Sequence, residues 1–66
     1  GQSGEAIRFL EEALERNPYD REILYGLTTI LIEQERRAEA LEYAEKLVRF
    51  YPEEGNYRQV LEFLNQ

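Results

Sequence analysis

The carboxylates of Glu11, Glu12 and Glu15, and those of Glu33 and Glu35, are the groups in this sequence whose type and spacing could do chemistry. Two carboxylates flanking a cleft can serve as acid and base in glycosidase-like hydrolysis, provided their surroundings push their pKa values apart. Nothing here supplies that asymmetry. These residues fall on the polar side of helical patterns, three or four positions from Arg or from other Glu. Glu12–Arg16, Glu42–Lys46 and Glu45–Arg49 read as i,i+4 pairs that support helices by roughly 0.2–0.5 kcal/mol each. The chain has no His and no Cys, so the commonest metal ligand and general base are absent, and so is any disulfide. No Ser stands in a nucleophile elbow, and Gly1-Gln2-Ser3-Gly4 is too little for a phosphate-cradling loop. The sequence predicts no enzyme, no metal and no cofactor.

Net charge narrows the partners. The 14 acidic residues outnumber 8 basic ones, whereas a nucleic-acid surface needs clustered Lys and Arg. Arg36-Arg37, an adjacent basic pair, reads as a solvated turn. The apolar run Ile30-Leu31-Ile32 is far short of the ~18 residues of a membrane span. No nucleic acid and no membrane insertion are expected. No apolar signal segment opens the sequence, and the compartment is open, with the cytoplasm as the default.

The elements follow from periodicity. The chain has 66 residues, enough for one domain whose core supplies only ~3–5 kcal/mol. Gly1 to Gly4 reads as a turn. From Glu5 to Asn17, Ala6, Ile7, Leu10, Ala13 and Leu14 recur at helical spacing, and Pro18 disfavours helix at Asn17. Asp20 suits an N-cap for a second helix running to Gln34, with Ile23, Leu24, Leu27, Ile30 and Leu31 as its stripe. Glu35 to Arg37 should turn. Ala38 to Phe50 forms a third helix with Ala40, Leu41, Ala44, Leu47 and Val48 inward, ended by Pro52 and Gly55. Asn56 to Asn65 forms a fourth, carrying Tyr57, Val60, Leu61 and Leu64. Four helices with short connections, and no strands, make an all-α antiparallel array.

The array repeats at 34 residues. Glu5-Ala6-Ile7 returns as Glu39-Ala40-Leu41, Phe9 as Tyr43, Leu14 as Val48 and Pro18 as Pro52. This pattern resembles the tetratricopeptide repeat, a 34-residue helix A–turn–helix B unit. Ala6 and Ala13 match its two small helix-B positions and Pro18 its terminal Pro, while Ala40 and Pro52 match one period later. Leu24, Tyr25, Leu27 and Leu31 stand where helix A carries its large residues. Thr28 replaces the usual helix-A Gly and Leu47 the second helix-B Ala, which implies slightly more open packing there. Arg58 occupies the large-aromatic position of a third, weaker unit, as in a terminal cap. The resemblance implies helix-turn-helix repeats in a right-handed superhelix. Its phase puts Gly1 at the A–B turn, so it divides the chain into the second half of a unit (1–20), a complete unit (21–54) and a closing helix (55–66), the C-terminal piece of a longer array.

Such arrays bind proteins on the concave face that the A helices line. The resemblance places Glu22, Tyr25, Thr29, Ile32 and Glu33 there from the second helix, and Asn56, Gln59 and Phe63 from the last. Ile32 and Phe63 beside polar groups suit a peptide or helix laid in a groove. Tyr25, Thr29, Gln59 and Phe63 fill positions where some family members grip a C-terminal carboxylate, and no cation stands among them. Glu22 and Glu33 favour a basic or neutral partner. A second surface is the first helix, where Ala6, Leu10, Ala13 and Leu14 could pair with another copy in a homodimer. The function read from the sequence is a protein-interaction scaffold. The alternatives are a structural cap or self-association segment with no separate ligand, and an accessory segment of an enzyme encoded upstream.

Overall fold

The computed structural model describes residues 2–66. Four helices follow one another: α1 (Gln2–Arg16), α2 (Arg21–Glu33), α3 (Arg37–Phe50) and α4 (Gly55–Leu64). Connections of three or four residues fold each helix back on the one before it, and close backbone approaches occur only between α1 and α2, α2 and α3, and α3 and α4. No strand occurs among the described residues.

The α2–α3 contact is the most extensive of the three. Leu24, Leu27, Leu31, Ala40 and Leu47 are fully buried, and Ala44 nearly so. The small side chains at Ala40 and Ala44 let the two helices approach closely enough for the leucines to interdigitate, which is how ridge-into-groove packing excludes voids. Ile7 from α1 and Leu64 from α4 complete this cluster, and Leu24, Leu47 and Tyr57 form a second one. Thr28 and Leu47, the larger residues at the close-contact positions, are both fully buried. The Thr28 hydroxyl donates to the Leu24 carbonyl at 2.7 Å, satisfying a polar group that would otherwise be costly to bury.

Helix ends account for the remaining order. The Asp20 carboxylate accepts from the backbone N–H of Glu22 and Ile23 at 2.9 and 3.1 Å, capping α2 as its sequence position suggests. At the other end of α2, Arg36 N–H donates to Leu31 O at 2.9 Å and Glu35 N–H to Ile32 O at 3.0 Å. These are the two bonds of a Schellman motif, which needs a left-handed residue. Glu35 takes that role with φ of 59°, one period after Gly1, although a side chain there is strained. The Gly1–Gly4 turn is overturned for residues 2–4, which are helical, while Gly1 lies outside the described residues. The first turn of α1 is tied down by Gln34, whose side-chain amide donates to Ser3 Oγ at 3.0 Å, a tertiary contact that outweighs weak local propensity.

Two further expectations are corrected. None of the i,i+4 pairs Glu12–Arg16, Glu42–Lys46 and Glu45–Arg49 closes into an ion pair; among the described residues Arg36 and Glu39 do, at 2.6 Å. That bond holds the Glu39 carboxyl below its ordinary range, but full exposure screens it. Lys46 lies over the Tyr43 ring instead of pairing with Glu42, 5.6 Å from the centroid. Arg58 is exposed and reaches back to the Pro52 carbonyl at 3.4 Å, while Tyr57, one residue earlier, is buried in its place.

Two glycine exchanges test the backbone argument. Gly26 lies inside α2 with negative φ, and a Cβ there would meet Leu10 Cδ1 at an ordinary 3.6 Å. Gly26→Ala is therefore expected to raise stability by about 0.5–1 kcal/mol through helix propensity. Glu35→Gly is expected to raise it by about 1 kcal/mol by relieving the left-handed strain. Urea unfolding followed by circular dichroism reads both, and a decrease for either contradicts its assignment. Tyr43 gives a pH test. Partial burial, then Glu11, Glu42 and Glu39, push its phenol up from about 10. The neutral form is favoured in the folded state, so this stability is complete below pH ~10 and is lost as pH rises through the elevated value. Tyr43→Phe is expected to blunt the alkaline loss, read by urea unfolding across alkaline pH.

Candidate functional site

α2 and α4 both pack on α3 and lie side by side, with no close backbone approach to each other. Between them runs a shallow trough in three adjoining cavities. At the N-terminal ends of the two helices, a cavity of about 290 Å³ is lined by Arg21, Glu22, Tyr25, Glu54, Asn56 and Tyr57. Tyr25 and Asn56 also line the middle cavity, about 280 Å³, with Ile32, Gln59, Val60 and Phe63. Ile32 and Phe63 continue into the third, about 410 Å³, which Glu35, Arg37 and Leu64 complete. Tyr25 is 40% exposed and Phe63 49%, so the trough presents two large rings to solvent.

The structure brings six of the eight concave-face residues read from the sequence onto this trough: Glu22, Tyr25, Ile32, Asn56, Gln59 and Phe63. Thr29 lines none of the three cavities, and its hydroxyl donates to the Gly26 carbonyl at 3.1 Å. Glu33 is exposed at the end of α2, beside the trough and not in its wall.

Aromatic and cationic groups set the trough's two ends. The Tyr25 and Tyr57 rings stand 5.7 Å apart, and Tyr57 meets Tyr51 edge-on at 6.3 Å. The Arg21 guanidinium lies over Tyr51 at 4.3 Å, and Arg21 shares a cavity with Tyr25. At the far end, Arg37 donates to the carbonyls of Phe63 and Leu64 at 3.2 and 3.1 Å and lies over the Phe63 ring at 5.4 Å. A cation on the last carbonyls of α4 is where the helix dipole favours one. Arg37 is thus no free turn residue; it fixes the end of α4 and the Phe63 ring. Its position at the start of a helix, 26 residues before Phe63, carries no local signal of that contact. Glu54 was absent from the sequence reading, and Tyr57 was read there as an apolar residue of the fourth helix and not as part of this surface.

The family comparison agrees with the four-helix architecture. A model of the tetratricopeptide repeat matches residues 1–66. The chain belongs to the tetratricopeptide repeat family. Comparison with curated proteins and with solved structures gives no match. Tetratricopeptide repeats mediate protein–protein interaction and are not catalytic motifs. The described residues hold no cluster of acidic groups that could bind a metal ion, and no helix long and apolar enough to cross a membrane.

The first helix of this tetratricopeptide chain carries the stripe read from the sequence. Ala6, Leu10, Ala13 and Leu14 are all half-buried. Leu10 and Leu14 turn toward the core, Leu10 beside Gly26 and Leu14 against both buried clusters. Phe9, which the stripe omitted, is 71% exposed. Any contact through the outer side of α1 would centre on Phe9.

Arg37 provides the test of how the trough is held. Arg37→Ala is expected to leave α1–α3 intact and to speed amide hydrogen exchange in the last turn of α4 about fivefold, equivalent to about 1 kcal/mol of local stability. Unchanged exchange at Phe63 and Leu64 would show that Arg37 does not hold that turn.

Proposed function

We propose that this chain is a protein-interaction module that receives a segment of another protein in the α2–α4 trough. The observation that carries the reading is the trough itself, a continuous surface in which exposed Tyr25 and Phe63 stand beside Ile32 and the side-chain amides of Asn56 and Gln59. Apolar groups with polar neighbours of this kind mark docking sites, because the first supply burial and the second orientation. In the same reading α1 is a B-type helix, α2 and α3 form a complete repeat (21–54), and α4 (within 55–66) closes the array and lends it a second A-type surface. Ala6 and Ala13 beside exposed Phe9 offer the alternative of self-association through α1.

The experiment compares Ile32→Ala with Phe63→Ala in the trough against Phe9→Asp on α1, with binding read by calorimetry against a partner identified for the protein. Each trough substitution is expected to weaken binding by about five- to tenfold, the effect of removing an anchor worth more than 1 kcal/mol. Phe9→Asp is expected to have no effect. Loss with Phe9→Asp and not with the trough variants would assign the interaction to α1 and overturn this reading.

A further inference from the structure

The charges around the trough differ in how they are engaged. Arg21 is stacked on Tyr51, Arg37 is bonded to two carbonyls of α4, and Arg58 reaches the Pro52 carbonyl. Glu22 and Glu54, at the Tyr25 end, form no ion pair; the ion pair found among the described residues joins Arg36 and Glu39, elsewhere. Arg21 lines the same cavity with its guanidinium held over Tyr51, so Glu22, Glu54 and Arg21 together leave one net negative charge there, set beside the exposed Tyr25 ring in a cavity of about 290 Å³. Carboxylates with an aromatic face attract a cation, through Coulomb attraction and the ring quadrupole together. The other anchor is apolar: Ile32, Val60 and Phe63 line the middle cavity.

The side-chain amides of Asn56 and Gln59 have no hydrogen-bond partner among the described residues. Each offers a donor and an acceptor at the trough wall, the pair that an extended backbone needs and a helix has already satisfied internally. Tyr25 and Ile32 are seven residues apart on α2, about 10 Å along its axis. An extended polyproline-like segment advances about 9 Å in three residues and returns its side chain to the same side.

We propose, resting on the trough as the docking face, that it takes an extended peptide segment of a partner protein with Lys or Arg three residues from a large apolar side chain. The cation sits at Tyr25 with Glu22 and Glu54, the apolar group on Ile32, Val60 and Phe63, and the amides of Asn56 and Gln59 bond the backbone between them.

The test titrates the ¹⁵N-labelled chain with an acetylated, amidated serine-based octapeptide that has arginine third and leucine sixth, and follows amide shifts by NMR. The expected result is saturable shifts confined to residues around Tyr25, Asn56, Gln59 and Phe63, weakening with added salt. Exchanging the arginine for glutamate should weaken binding at least tenfold, and exchanging the leucine for serine at least fivefold. Glu22→Gln combined with Glu54→Gln changes two exposed side chains, and circular dichroism checks that the fold survives. This variant should reduce the preference for arginine over glutamate to less than threefold while keeping the preference for leucine. Equal binding of the arginine and glutamate peptides, or a preference that survives in the double variant, overturns the proposed partner chemistry and leaves the trough as the docking face. Shifts that fall on α1 or the outer side of α3, or no shifts with any of the peptides, overturn the docking face as well.

Discussion

Everything in this molecule depends on the packing of Leu24, Leu27 and Leu31 against Ala40, Ala44 and Leu47. Helices of 10 to 15 residues are marginal on their own in water, because nucleation is costly and few hydrogen bonds repay it. α1 and α4 each have one close helical neighbour, and only α2 and α3 have two. The α2–α3 pair is thus the platform on which the outer helices order. Its two alanines are as important as its leucines, since a larger side chain at Ala40 or Ala44 would separate the helices and expose what both outer helices rest on. Between repeats Ala40 matches Ala6 and Leu27 matches Leu61, while Ala44 and Leu47 stand opposite Leu10 and Ala13, the two sizes exchanged.

This platform also explains why a trough exists. α2 and α4 take their spacing from α3, not from each other. At one end the gap between them is bridged by Tyr25 and Tyr57, and at the other Arg37 lies over the Phe63 ring. Ile32 and Phe63 lie between these bridges and remain partly open. The exposed apolar surface is therefore a consequence of helices held apart by a third, and cannot be closed by rotating a side chain without losing the Arg37 or Tyr57 contacts.

The helices were legible in the sequence wherever local chemistry fixed them. The 3–4 spacing of Leu24, Leu27 and Leu31, the Asp20 cap and the prolines at 18 and 52 each act within a few residues, and each stands where its type suggests. What was not legible depended on contacts distant in sequence. Gln2–Gly4 looks like a turn until Gln34 is seen to reach Ser3 across 31 positions. Arg37 looks like a solvated turn residue until it meets the end of α4. Glu35 hides a left-handed backbone position that only its phase with Gly1 could reveal. Six of the eight residues assigned to one face line the trough, because a 34-residue phase converts sequence position into surface position. Thr29 and Glu33 line none of the three cavities, since that phase says which way a Cα faces and not how far its side chain reaches.

The charge pattern follows the same division between local and distant. The i,i+4 pairs that the sequence offers on α1 and α3 stay open, as expected where two long exposed side chains gain little and lose rotamer freedom by pairing. The arginines that do engage reach carbonyls and rings on other elements, apart from Arg36, which joins Glu39 within one turn. Guanidinium groups suit those sites because a planar, weakly hydrated cation can lie on a ring and still donate at its edge. Carboxylates have no such option, and with 14 of them against 8 cations most cannot be paired within the chain. The engaged arginines stay exposed and keep their charge, so the acidity at the Tyr25 end rests on Glu22 and Glu54 outnumbering Arg21 in that cavity, while stacking on Tyr51 fixes where the Arg21 charge sits.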